Sequence, residues 1–220
     1  EYFNGVMEQP KLGKIEALIV PHAGYIYSGL TAAHAYSLIK NNSYDDVIVL
    51  GPSHRVCFEG FGLGSATTWE SPLGVTPISS RVAERASQSG YVVVDEAHQF
   101  EHSLEVQLPF LQKALSAFSL FPIITGTLTD FEWAVAEIDL LKRENDLLIL
   151  SSDLSHFHTY EAARQRDVQT LAQVVAGDST FASSAACGGV GIKIALALAK
   201  KNRWQCKLLD YRNSGDTAGD

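Results

Sequence analysis

Three imidazoles head the residues able to do chemistry. His22 in IVPHAGY, His54 in VLGPSH and His156 in LSSDLSH each follow an apolar, β-rich run and lie in a short turn marked by Gly, Pro or Ser. Histidine changes charge near neutral pH and is the commonest nitrogen ligand for transition metals, so this repeated placement points to proton transfer or metal binding. Asp153 stands three residues before His156. If that turn is helical, its carboxylate reaches the ring, fixes the tautomer and raises its basicity. Asp153 or Ser152 could equally cap a helix there.

Cys187 adds a thiol. It immediately precedes Gly188-Gly189 and the apolar stretch VGIKIALALAK. A cysteine at a helix N-terminus feels the positive end of the helix dipole, which favours the thiolate that binds metals and attacks electrophiles. The competing reading is a small buried apolar residue. Cys57 and Cys206 sit in ordinary strand or loop contexts. The run His98-Gln-Phe-Glu101-His102 matches the H-x-x-E-H pattern of inverted zinc peptidases, which needs both histidines on one helical face with Glu101 beside the metal. The helical period begins at Ser103, in SLEVQLPFLQ, so His98 is expected in the approach loop and outside the pocket, with His102 turned toward it. His34, in TAAHAYSL, reads as a helix-packing residue. GPSHR lacks the second glycine of a nucleophile elbow. GGVGIK lacks the third glycine of a dinucleotide fingerprint, and no phosphate-binding loop occurs.

These groups need elements to carry them. IEALIVP, DDVIVLGP, GYVVVD, SLFPIIT and DLLILSS read as strands, and their nearly continuous apolar character suits a sheet covered on both faces by helices. SGLTAAHAYSLIKNN, ISSRVAERASQSG, SLEVQLPFLQKALSAF, DFEWAVAEIDLLKREN, EAARQRDVQTLAQVVAG, DSTFASSAA and GGVGIKIALALAKKN read as helices. Ser28 or Thr31 is the expected cap of the first, and Asp130 opens DFEWAVAEIDLLKREN. CFEGFGLGSATTWESPLGVTPI reads as a hairpin or loop excursion off the sheet, and RWQCKLLDY as a late strand. The expectation is one α/β domain over residues 1–220, with a mixed or mostly parallel sheet flanked by helices. In such sheets ligands bind beyond the carboxyl ends of the strands, where His22, His54 and His156 fall.

The chain has 220 residues, 46% of them hydrophobic, enough for one sizeable core. A formal net charge of -8 and the lack of any Lys/Arg cluster argue against nucleic acid as a partner. No apolar run approaches a membrane span, EYFNGVMEQPKLGK does not read as a signal peptide, and three cysteines do not make a disulfide framework. The expectation is a cytoplasmic protein.

PHAGYIYSG followed by AAHAY, then GPSH, EHSLEVQLPFL, SSDLSHF and ACG before a helix resemble the Memo family, relatives of the "AmmeMemoRadiSam system protein B" of bacteria and archaea. The resemblance covers Ile15 to about Asp220. It implies a fold like that of the class III extradiol dioxygenases, with His22, His54 and Cys187 as ligands to one iron or copper ion. It implies Asp153 and His156 as pocket residues beside that ion, which the favoured reading takes as the catalytic pair, His156 as acid/base and Asp153 orienting it, and it places His102 and Glu105 in a further pocket motif. Family members usually extend beyond both ends of this chain, so terminal segments are expected to be missing. A cysteine in place of the dioxygenase carboxylate makes the set softer, favouring copper(I) or iron, with zinc also compatible. The leading expectation is O₂-linked oxidation of a small organic substrate. The alternatives are a non-catalytic peptide- or ligand-binding module, and a cysteine hydrolase with Cys187 as nucleophile, His156 as base and Asp153 as its orienter.

Overall fold

The computed structural model describes residues 1–6 and 10–219. Along the chain come β1 (Ala17–Val20), α1 (Tyr25–Ser37), β2 (Asp46–Pro52), β3 (Phe61–Leu63), β4 (Thr68–Ser71), β5 (Gly74–Pro77), α2 (Arg81–Arg85), β6 (Tyr91–Val93) and α3 (Asp95–Gln99). Then follow α4 (His102–Glu105), α5 (Leu108–Ala114), β7 (Ser119–Thr125), α6 (Phe131–Leu141), β8 (Leu147–Ser151), α7 (Tyr160–Val175) and α8 (Gly189–Asn202).

Side chains alternate faces along a strand, so a run apolar at every position serves two cores at once. In β2, Val47 and Val49 join the layer of α1 and α5, while Ile48 and Leu50 join the layer of α6 and α8. β8 divides the same way, with Leu147 and Ile149 on the first side and Leu148 and Leu150 on the second. The six-stranded sheet has the order β1-β8-β2-β7-β3-β6. β1, β8, β2 and β7 are mutually parallel, β3 runs antiparallel to β7, and β6 pairs parallel with β3. The chain is therefore α/β with a mixed, mostly parallel sheet between helical layers, as its pattern predicts. At the opposite edge from the strand ends that matter below, the Arg81 guanidinium binds Asp46 at 2.7 Å and Asp146 at 2.8 Å, tying together the starts of β2 and β8.

Several expectations need correction. The Gly- and aromatic-rich excursion is only partly a hairpin: β4 and β5 pair with each other, but Phe61–Leu63 enters the main sheet between β7 and β6. The late strand RWQCKLLDY does not form. A cavity of about 810 Å³ is lined by both this segment and β1, which is left as an edge strand of the sheet. Side chains hold the segment instead, through Thr31 Oγ1 to Asp210 (2.7 Å) and Tyr211 OH to Asp167 (2.8 Å). Neither Ser28 nor Thr31 caps α1, which starts earlier behind Gly24. SLEVQLPFLQKALSAF is broken into α4 and α5, with Pro109 in the first turn of α5, where its missing N–H is tolerated. Of DSTFASSAA, only Ser183–Ala185 forms a single 3₁₀ turn. Asp130 does cap α6, accepting the Trp133 N–H at 2.8 Å.

The N-terminus of α8 meets the end of β8 through Gly188. A Cβ there would stand 2.4 Å from the Ser151 carbonyl oxygen and 2.7 Å from Ser152 Cβ. Gly188→Ala is expected to destabilise the fold by about 1–3 kcal/mol, as overpacking does. The Gly191 position offers an ordinary contact, 3.5 Å to Leu150 Cδ1, so Gly191→Ala should be neutral or stabilising by roughly 0.5–1 kcal/mol. Urea unfolding midpoints of the two variants check this pair, and equal midpoints would refute it.

Candidate metal centre

β8 lies between β1 and β2, and all three run the same way. Their carboxyl ends therefore deliver three loops to one place: Pro21-His22 after β1, Ser53-His54 after β2, and Ser152 to His156 after β8. Cys187 arrives from the other layer, just before α8. Its backbone N–H donates to the Asp153 carbonyl at 3.2 Å, and the Asp153 N–H points at its Sγ, also at 3.2 Å. The Gly188 N–H donates to Ser152 Oγ at 2.9 Å. The close approach at Gly188 thus fixes the thiol against the end of β8.

His22 is buried and its Nε2 lies 3.2 Å from Cys187 Sγ. Its Nδ1 faces Ser151 Oγ at 2.9 Å. The His54 ring packs edge-on to His22 with centroids 5.3 Å apart, and His102 stacks on His54 at 5.0 Å. One nitrogen each from His22 and His54 and the Cys187 sulfur all lie within 4.8 Å of one another. Ligand atoms around a tetrahedral ion with Zn–N near 2.0–2.1 Å and Zn–S near 2.3 Å stand roughly 3.3–3.6 Å apart. The donor set therefore fits one transition-metal ion with little rearrangement. Two neighbouring triplets, His54-Glu101-His102 and Asp153-His156-Cys187, meet the same spacing.

The group that sequence reasoning undervalued is Glu101. It is buried, precedes α4 and caps it, accepting the Ser103 N–H at 2.9 Å. Its carboxylate also accepts the His54 N–H at 2.7 Å and meets His54 Nδ1 at 2.8 Å. A carboxylate on Nδ1 leaves Nε2 to face the ligand site, the usual arrangement behind a metal-binding imidazole. Burial opposes ionisation of Glu101, but the bonds from His54 and Ser103 outweigh it and bring its pKa down to about 2. Hydrogen bonds to Cys187 and Glu101 push His54 up to about 10 against burial. Burial likewise opposes the Cys187 thiolate, yet hydrogen bonds from His156, His22 and His54 bring that thiol down to about 3. The run HQFEH was the available signal, placing an acid among histidines, but glutamate is not a favoured N-cap and its bond to His54 spans 47 positions.

The remaining candidates divide clearly. His98 lies in α3 rather than in a loop; its Nε2 is 3.2 Å from the Gly62 carbonyl and its ring faces Trp69, outside all three triplets. α4 starts at His102 rather than Ser103, and His102 packs on both His22 and His54. His98 and His102 thus belong to separate helices, so the inverted zinc-peptidase pattern does not assemble. Asp153 does not sit on a helical turn with His156, because residues 152–158 are not helical. Its Oδ1 instead accepts the His22 and Ala23 N–H groups at 2.8 and 3.2 Å. His156 is exposed, and its pKa is raised chiefly by a hydrogen bond to Cys187. Glu105 is exposed and belongs to none of the triplets. His34 is buried in α1, Cys57 is exposed, and Cys206 packs beside Val174 and Phe181.

The electrostatics predict selective reactivity. Thiolate is present above the thiol pKa, so in chelator-treated protein Cys187 should be alkylated by iodoacetamide at about pH 5–6, below the roughly 8.5 of a free thiol. Burial raises Cys206, so it should stay unmodified under those conditions. Mass mapping of the labelled cysteines checks this, and Cys206 reacting before Cys187 would contradict it.

The family model described as "Memo-like protein" matches residues 2–220. A MEMO1 family protein of Aquifex aeolicus is 37% identical over 223 residues, covering 94% of this chain and 82% of that protein. Others from Thermoplasma volcanium and Metallosphaera sedula are each 36% identical, over 92% of this chain and 80% and 77% of their own lengths. With a family model spanning nearly its whole length and relatives this similar, the chain belongs to the Memo family.

Proposed function

We propose that the protein is a metal-dependent redox protein, holding one iron or copper ion through His22, His54 and Cys187 and oxidising a small organic substrate with O₂ in the cytoplasm. The observation that supports this reading is the convergence of two anchored imidazoles and one thiol held as thiolate, within 4.8 Å of one another. Two nitrogens and a thiolate form a softer set than two histidines and a carboxylate, suiting copper(I) or iron and tolerating zinc. A bound iron or copper ion would supply the one-electron chemistry that reaction with O₂ requires. Glu101 holds the His54 ring, and Asp153 holds the main chain at His22 and Ala23. His156, exposed beside the thiolate, is the group that exchanges a proton with substrate, and the stacked His102 contacts it. Glu105, exposed on α4, is assigned to the same pocket.

The thiolate also suits a cysteine hydrolase with His156 as base. In that reading Asp153 orients His156: its Oδ1 accepts from the His22 and Ala23 main chain, and a carboxylate oxygen lies within 4.8 Å of a His156 nitrogen and the Cys187 sulfur.

Protein purified without added metal is expected to carry about one iron or copper ion per chain, and the His22/His54/Cys187→Ala triple variant to carry none. Cys187→Ser should weaken copper(I) most. His156→Gln should keep the ion and slow oxygen consumption. A triple variant that binds as tightly as the parent refutes the ligand assignment. Hydrolysis of a model ester that survives chelation would favour the hydrolase.

Binding should also depend on pH, since an ion replaces the His54 proton. With His54 near 10 and Cys187 near 3, zinc binding at neutral pH should release about one proton, and affinity should rise roughly tenfold per pH unit. Calorimetry in buffers of different ionisation enthalpy measures that proton, and uptake instead of release would reverse the assignment.

A further inference from the structure

We propose that Gln107, acting through Ser151, is a positioning residue that decides which nitrogen of His22 faces the metal. The inference rests on His22 being a ligand, and its basis is a buried chain of hydrogen bonds in which every hydrogen can be assigned. Gln107, Ser151, Tyr36 and His22 are each at most 1% exposed, so water does not complete their bonding.

The assignment starts at Pro21. Its carbonyl lies 2.9 Å from the terminal side-chain nitrogen of Gln107 and can only accept, which fixes the amide orientation with Nε2 toward Pro21. The Gln107 carbonyl oxygen then accepts the Tyr36 hydroxyl at 2.9 Å. The second Nε2 hydrogen is donated to Ser151 Oγ at 2.8 Å. Ser151 has one hydroxyl hydrogen and two lone pairs. Its hydrogen goes to the Ser103 carbonyl, which can only accept, and Gln107 occupies one lone pair. Only a lone pair remains for His22 Nδ1 at 2.9 Å. The hydrogen on Nδ1 is therefore the one the neutral His22 ring keeps, while the hydrogen on Nε2 that bonds the Cys187 thiolate at 3.2 Å belongs to the doubly protonated ring and is the one an ion would replace.

Gln107 thus grips His22 twice. One N–H holds the carbonyl of the residue before it, and the other holds the hydroxyl that receives its ring hydrogen. His54 has its Nδ1 set by the carboxylate of Glu101, whereas His22 is set by a neutral amide and a hydroxyl. Without the Ser151 oxygen, the acceptor left for the His22 hydrogen is the Cys187 sulfur, which moves that hydrogen to Nε2 and blocks the ligand position.

Two readouts on Ser151→Ala, Ser151→Thr and Gln107→Met test this. The first is the tautomer of His22 in metal-free, ¹⁵N-histidine-labelled protein, observed as pH is raised until the ring is singly protonated. The parent should carry the hydrogen on Nδ1, and Ser151→Ala on Nε2. The second is zinc affinity by chelator competition, expected to fall about 10–100-fold in Ser151→Ala, as losses behind a ligand do. Gln107→Met should lower it in the same direction, and Ser151→Thr, which keeps the hydroxyl, should restore both parent readings. A parent with its hydrogen on Nε2 overturns the proposal, as does a Ser151→Ala ring that keeps it on Nδ1. Metal-free spectra that match, in a parent that takes up no zinc, uphold the tautomer assignment and refute the metal reading alone.

Discussion

Parallel pairing of β8 between β1 and β2 is the constraint on which the site depends. The registers Val20↔Ser151 and Leu50↔Leu150 bring three strand ends level with one another. The loops that follow therefore emerge side by side, carrying His22, Asp153 and His54. A slip of one residue in β8 would exchange its two apolar faces between the cores and turn the Ser151 hydroxyl away from His22. Both cores resist that slip, since Leu147 and Ile149 are buried on one side and Leu148 and Leu150 on the other.

The two helical layers contribute different chemistry to that edge. From the layer of α1, α4 and α5 come Glu101, His102 and Gln107, all in or next to a short broken helical stretch. α4 sits close on β2, where a Cβ at Gly51 would stand 2.6 Å from Ser103 Oγ. From the layer of α6 and α8 comes Cys187, brought in by the tight contact at Gly188. The thiol meets the imidazoles only because the ends of both layers overlap beyond β8.

Charge placement follows from this crowding. A buried carboxylate or thiolate is costly unless paired and hydrogen-bonded. Glu101 meets that condition with three hydrogen-bonded contacts, and Cys187 with surrounding imidazoles and the Asp153 N–H. His54 lies between the two anionic groups, which is why its proton is held so strongly. An ion with a positive charge at that point would take over the role of the proton, so the same geometry serves both states. Asp153 Oδ1 accepts from the backbone of the neighbouring loop, while its carboxylate also stands within 4.8 Å of the His156 ring and the Cys187 sulfur.

Local pattern was enough to determine the alternation of strands and helices, the two-sided burial of β2, β7 and β8, and the placement of His22, His54 and Cys187 at element ends. Those features depend on periodicity and on turn residues, which a sequence displays directly. The resemblance in five ordered motifs added the family. What local pattern does not carry is which distant partner a side chain meets. Asp153 and His156 are close in sequence, yet the carboxylate bonds to His22 and Ala23. Glu101 and His54 are 47 positions apart, yet share a bidentate contact. RWQCKLLDY alternates like a strand but joins neither sheet, and side-chain bonds at Asp210 and Tyr211 hold it instead. Strand order and the packing of α4, α5 and α8 over the end of β8 decided those partners. Hydrogen bonds form between groups that folding brings to about 3 Å, whatever their separation along the chain.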